Sequence, residues 1–202
     1  MTERVVAELI ASNVFVVSEG EECIIFDAGA SLKKVKKAVG EKKVAGVFLT
    51  HGHYDHAYYA LDYAKTFGCK IYCSRGAVEY LQDPNYNYSE GRFKIEDFSN
   101  FVFLTGGGPL KVGNFELKFY QLGGHSKGDM CFVYKDEIFV GDVLLGRDVG
   151  RMDLYGGDRT EMLKSLKFLV EHEYKTMHCG HGIDCDKKSQ DRVAKLWIGF
   201  LG

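Results

Sequence analysis

Apolar residues recur along this chain in short runs that end in glycine or a turn former, and the runs sort into strands and helices by their spacing. Near the amino end, residues 4–9, 13–18 and 21–27 are rich in β-branched and aromatic side chains, with Glu19-Gly20 between the second and third. They predict three strands joined by tight turns. Ser31 stands as an N-cap for an amphipathic helix over 32–39 with lysines outward, and Gly40 stops it. Val44-Ala45-Gly46-Val47-Phe48-Leu49 is apolar throughout and reads as a buried strand. A helix over 57–67 ended by Gly68, a strand over 70–73 and a helix over 75–82 follow, an alternation that covers a sheet face with helices.

The pattern breaks over residues 83–100, which are polar and interleave tyrosine with asparagine after Pro84. So long a loop in a compact domain either overhangs a site or is plain surface, and both readings stand. Thr105-Gly106-Gly107-Gly108 reads as a turn and not a phosphate cradle, because no lysine followed by serine or threonine comes after it. A second set of strands is predicted over 109–112, 115–121, 131–135 and 138–140, with hairpin turns at Gly113-Asn114 and Asp136. Asp158 and Glu161 have capping-box spacing ahead of a helix over 159–170, and 189–200 is a last amphipathic helix. Two strand sets with helices predict an α/β protein, a four-layer αββα sandwich, in one domain over 1–202.

Composition narrows the class. With 46% hydrophobic and 13% aromatic residues in 202, the chain has ample core for one domain. No apolar run is long enough to span a bilayer, and the charged opening stretch is unlike a signal peptide, so a cytoplasmic location and no membrane partner are expected. The net charge of −2 makes no case for nucleic acid; a small-molecule substrate is expected, and the oligomeric state is open. Six cysteines are then expected as thiols. Cys23 and Cys131 fall in strand-like runs, and Cys69 and Cys73 lack the spacing of a structural zinc site. Cys179 and Cys185 bracket His181, and core packing is the favoured reading of Cys179 over a place beside a metal.

The chemistry concentrates at Thr50-His51-Gly52-His53-Tyr54-Asp55-His56, where three of the seven histidines fall within six residues. The run starts where a strand stops, the usual place for a site. His51 and His53 can point to one side of an extended chain while Asp55 and His56 project elsewhere, a geometry suited to two neighbouring metal ions. Further ligand types appear at other strand ends: His125 after Gly123-Gly124, Asp142 after Gly141, and His181 between Gly180 and Gly182. Imidazole with carboxylate suits zinc, with iron or manganese as alternatives. His172 is expected on the surface at a helix end and His178 is expected to be structural.

These residues carry a resemblance. The His-x-His-x-Asp-His run at 51–56, the later histidine, the Gly-Asp pair and the Gly-His-Gly element resemble the metallo-β-lactamase superfamily. Phe26-Asp27-Ala28-Gly29 and the loop 141–158 are similar to glyoxalase II-like hydrolases within it. The resemblance implies that His51, His53 and His125 hold one divalent ion and Asp55, His56 and His181 a second, with Asp142 bridging and Asp27 supporting the loop from behind. Two such ions lower the pKa of water from roughly 16 to about 7, which supplies a nucleophile for a carbonyl or phosphoryl centre. Asp55 would orient that water and carry a proton. Asp142 speaks against β-lactam cleavage, since class B β-lactamases generally lack it. Only about 20 residues follow Gly182, so the carboxyl-terminal helical domain that grips glutathione in that family is not expected here. Arg147 and Arg151 are candidates for an anionic substrate group, or equally for ion pairs with Asp148 or Asp153. The expectation is a dinuclear hydrolase of a small thioester or ester. The alternatives are a mononuclear-iron oxidoreductase similar to persulfide dioxygenases, and then a phosphodiesterase or nuclease.

Overall fold

In a computed structural model the described residues are 1–8 and 10–202. The first sheet is built by β1 (Thr2–Val6), β2 (Asn13–Glu19), β3 (Glu22–Phe26), β4 (Lys43–Phe48), β5 (Lys70–Ser74) and β6 (Phe101–Leu104), in that spatial order. Its first three strands are antiparallel and β3 to β6 are parallel. Helices α1 (Leu32–Val39), α2 (Tyr54–Ala57), α3 (Ala60–Phe67) and α4 (Val78–Gln82) belong to this half. The second sheet contains β7 (Gly107–Val112), β8 (Phe115–Gln121), β9 (Met130–Tyr134), β10 (Glu137–Gly141), β11 (Thr176–Cys179) and β12 (Cys185–Asp186), with α5 (Arg159–Glu171) and α6 (Lys187–Leu201) against it.

Three apolar clusters make this a four-layer αββα sandwich. Val35, Val47, Leu49, Tyr63 and Ile71 fill the space between the first sheet and its helices. Ile138, Val140, Leu166, Leu169 and Met177 do the same for the second sheet with α5 and α6. Between the sheets lie Phe15, Phe26, Phe48, Phe115, Phe132 and Phe139, with the rings of Phe26 and Phe139 stacked 3.9 Å apart. A strand covered on both faces needs apolar residues at every position, which is why β3 and β4 read as continuous hydrophobic runs.

The departures from expectation have local causes. The strand expected over 4–9 lies earlier, because β1 pairs Val5 with Val14 and Val6 with Asn13 and then leaves the sheet; Leu9 lies outside the described residues. The helix expected over 57–67 is broken into α2 and α3. The amide of Tyr59 donates to the carbonyl of Ala28 (2.8 Å), and the Asp55 carbonyl that would have taken it accepts from the Ser12 hydroxyl instead. Ser31 sits at the N-cap position of α1, but its hydroxyl donates to Glu8 (2.5 Å) and makes no cap bond. The turn expected over 105–108 is confined to Gly106, since Gly107 and Gly108 already pair in β7, and β6 was hidden in the run after the long loop. Asp158 caps α5 by accepting from Thr160 and Glu161, while Glu161 pairs with Lys164. His172 is half-buried, its ring packed on Phe168 and Tyr120, and burial lowers its pKa. All six cysteines are free thiols, and Cys179 is fully buried.

Candidate metal centre

The ends of four strands and one loop meet on one edge of the sandwich. β3 delivers Asp27, β4 delivers Thr50 and the histidine run, β10 delivers Asp142, β11 delivers His181, and the β8–β9 connection brings His125. Ligand-type atoms of His51, His53 and His125 lie within 4.8 Å of one another, as do those of Asp55, His56 and His181, and those of His51, His56 and Asp142. Asp142 stands between the trios: Oδ2 is 3.8 Å from His125 Nε2 and 3.5 Å from His181 Nε2, and Oδ1 is 3.5 Å from His56 Nε2. Close approach depends on glycine at two points. A side chain at Gly180 would collide with the Asp142 carboxylate, and one at Gly141 (φ +55°) with Thr50.

Three of the imidazoles are aimed by their second nitrogen. His51 Nδ1 pairs with the Thr50 hydroxyl (3.1 Å), His56 Nδ1 with Asp27 (2.8 Å) and His125 Nδ1 with the Arg151 carbonyl (2.9 Å), which turns each Nε2 inward. Such partners fix tautomer and orientation in metal sites. His53 presents Nδ1, 2.9 Å from His125 Nε2. Asp27 is held at φ +61° and accepts from the Thr50 amide and hydroxyl as well as facing His56.

The site fits divalent cations. Among the described residues His51 Nε2, His53 Nε2 and Asp142 Oδ1 are buried without a hydrogen-bond partner. A buried polar atom left so costs about 1–3 kcal/mol; His51 Nε2 and Asp142 Oδ1 belong to one trio of ligand-type atoms within 4.8 Å of one another, which marks a place for a bound cation. Burial, with the neighbouring histidines, holds His51 far below its ordinary pKa and brings His53 down to about 3. Both are neutral donors at any working pH. Burial also pulls His56 down, but the carboxylates of Asp55, Asp142 and Asp27 outweigh it and push it up to about 10. His181 is raised against burial by Asp55 and Asp142. Burial works against ionisation of Asp55, yet His56 and His181 hold its carboxyl well below the usual range. A divalent ion held there would take over the positive charge that these carboxylates otherwise draw onto His56.

A cavity of about 500 Å³ opens over the cluster, with Tyr54, Tyr88, Leu145, Leu154 and Arg151 among its walls, a volume in the range of small-molecule sites. Asn87 and Tyr88 come from the loop 83–100, so that loop does overhang the site. Arg151 lies at the cavity with its guanidinium forked onto Asp153 (2.9 and 2.8 Å). Arg147 is exposed on the far side of His181 and forms no ion pair among the described residues. His178 is buried beside Glu137 (2.6 Å) and Asp184 (3.2 Å) and stacked on Phe139 at 4.5 Å, away from the cluster.

Three positioning residues escaped the sequence reading. Asn13 donates to the carbonyls of Cys179 and Gly182 and its amide donates to Gly180, so β2 holds the His181 hairpin. Ser12 holds the Asp55 carbonyl. Asp129 accepts from the amides of His125 and Ser126 and from the Ser126 hydroxyl, fixing the His125 loop. Asp129 bonds backwards to residues three and four before it, which is not the forward pattern of an Asx turn, and the other two bond to distant segments, so none of the three left a recognised local signal.

The sequence matches the metallo-beta-lactamase superfamily over residues 7–181. It is 30% identical over 199 residues to a probable metallo-hydrolase, YqgX, of Bacillus subtilis, covering 95% of this chain and 94% of that protein. Among solved structures it is similar to the B3 metallo-beta-lactamase BLEG-1, with a TM-score of 0.87 and 27% identity over 98% of this chain and 99% of that one. It also shares its fold with TTHA1623 in a di-iron-bound form, with a TM-score of 0.80 and 23% identity over 95% and 98%.

Proposed function

The chain belongs to the metallo-beta-lactamase superfamily, and on that premise we propose that it is a dinuclear metal-dependent hydrolase of small esters or thioesters, similar to glyoxalase II. The observation that carries this reading is the convergence of seven ligand groups in two trios with Asp142 between them. His51, His53 and His125 would hold one cation, Asp55, His56 and His181 the other, and Asp142 would touch both. When bound, the cations supply Lewis acidity toward water and toward a carbonyl oxygen.

The chain's own groups do the rest. Asp55, kept ionised by His56 and His181, lines the cavity and can accept a proton from water and return it to the leaving group. Its Oδ2 is 3.2 Å from His181 Nε2, so its direction is set. Tyr54, Tyr88, Leu145 and Leu154 limit water around the bound substrate. Arg151 is assigned to an anionic substrate group, for which it would leave its exposed partner Asp153.

Five imidazoles and two carboxylates favour zinc, and the di-iron form of a fold neighbour makes iron the comparison to run. Protein purified without added metal is expected to carry two zinc ions per chain and to hydrolyse S-lactoylglutathione or simpler thioesters, assayed beside a β-lactam. A single iron per chain with no ester turnover would replace this reading with the persulfide-dioxygenase-like one. Asp142→Ala is expected to lower the metal content below two and the rate at least a hundredfold. Full metal content in that variant would remove Asp142 from the ligand set.

A further inference from the structure

A second groove of about 410 Å³ runs from the far side of His181, between the 145–148 turn and the segment after the last ligand. It shares Leu145, Asp148 and His181 with the metal cavity, so the two adjoin at His181. Its exposed wall is almost wholly hydrocarbon, from Leu145, Ile183 and the stem of Arg147. Ile183 is 60% exposed, one of the most exposed large aliphatic side chains in the molecule. The geometry around it is built. The Leu145 amide donates to the Asp148 carbonyl (2.8 Å), which closes the turn, and Gly146 lies so near the facing strand that a Cβ there would meet the Ile183 carbonyl at 3.2 Å and Cys185 Sγ at 3.3 Å. Both Cys179 and Cys185 thiols lean on the Ile183 carbonyl, which leaves its side chain to the groove.

We propose that this groove takes the aliphatic acyl chain of the substrate, so that the enzyme acts on thioesters or esters of medium-chain acids in preference to acetyl or lactoyl ones. The proposal rests on the hydrolase reading above. An acyl carbon held beside His181 directs its chain past Leu145 into the groove, while the leaving group occupies the opposite side by Tyr54 and Tyr88. In the reaction water's oxygen bonds to the acyl carbon, the carbon–sulfur bond breaks, and the thiol departs with one of water's protons while the acid releases the other. A hydrocarbon chain is the occupant because the groove offers almost no polar partner and the wall it shares with the metal cavity sets it beside the substrate.

Zinc-loaded full chain is assayed with N-acetylcysteamine thioesters of two to ten acyl carbons. Fully buried methylenes would each give about a fourfold gain; in a groove open on one side kcat/KM is expected to rise about two- to threefold per methylene and then level off. Ile183→Ser, at an exposed position, is expected to flatten that slope. In parallel, octanoate is titrated while the Ile183 methyl resonances are followed. A flat chain-length profile with methyls that do not move overturns the groove, even in an active hydrolase. Methyl shifts without turnover of any thioester or ester support the groove and overturn the hydrolase reading, so the two failures are told apart.

Discussion

At the scale of single residues the site is governed by groups that never touch a substrate. Asp27 adopts a left-handed backbone and spends its carboxylate on Thr50 and on His56 Nδ1, which aims His56 Nε2. Asparagine tolerates the same backbone but cannot give His56 a charged partner. Asp27→Asn is therefore expected to keep the fold and to weaken metal affinity about 10- to 100-fold, measured by competition with a chromophoric chelator. Unchanged affinity would mean that His56 is oriented by something else. The ligand types themselves were legible from sequence, because glycine-flanked histidine and aspartate at strand ends leave a local pattern. Asn13 was not legible, since it works only by reaching the carbonyls of Cys179 and Gly182.

At the scale of elements, hydrogen bonds between neighbours override local periodicity. The 57–67 helix breaks because β3's continuation takes the Tyr59 amide and the His56 carbonyl for itself. The break lets α2, a single turn, carry Asp55 and His56 into the site. The β10–β11 pair is stapled by His178 between Glu137 and Asp184. Burial lowers the His178 pKa, but the bonds to Asp184 and Glu137 prevail and raise it above its ordinary 6.5. The bond from His178 lowers Glu137 below its ordinary 4.5. A raised histidine stabilises the fold below its unfolded value and loses that as pH rises through the folded one; a lowered glutamate stabilises above its unfolded value and loses that as pH falls. Both contributions are complete between about pH 4.5 and 6.5. In chelator, the Tm difference between the native chain and His178→Gln is expected to be widest there and to narrow at higher pH. A pH-independent difference would show that the pair is not charged.

At the scale of the whole molecule, the two sheets are joined by a layer of phenylalanines, and the site sits on the edge of that layer. Phe26, stacked on Phe139 and followed directly by Asp27, links core to site. Phe26→Ala is expected to cost about 3–5 kcal/mol of unfolding free energy, read by denaturant titration in chelator. A loss under 1 kcal/mol would mean that the sheets close over the cavity. A divalent cation that the folded site holds more tightly than the unfolded chain is expected to raise Tm in the native protein. No helix among the described residues is long and apolar enough to cross a membrane.

The chain by itself determined which ligand-type residues stand at strand ends, which runs form strands buried on both faces, and that two strand sets would be packed face to face. Those are properties of composition and short-range periodicity, written within a few neighbouring positions. Only the tertiary structure decided how the 57–67 helix would break, which atoms of each imidazole face inward, that the loop 83–100 covers the site and that a hydrocarbon groove continues beyond His181. Each of these depends on contacts between segments tens to more than a hundred residues apart, whose meeting is set by sheet order and core packing and is therefore absent from any local stretch of sequence.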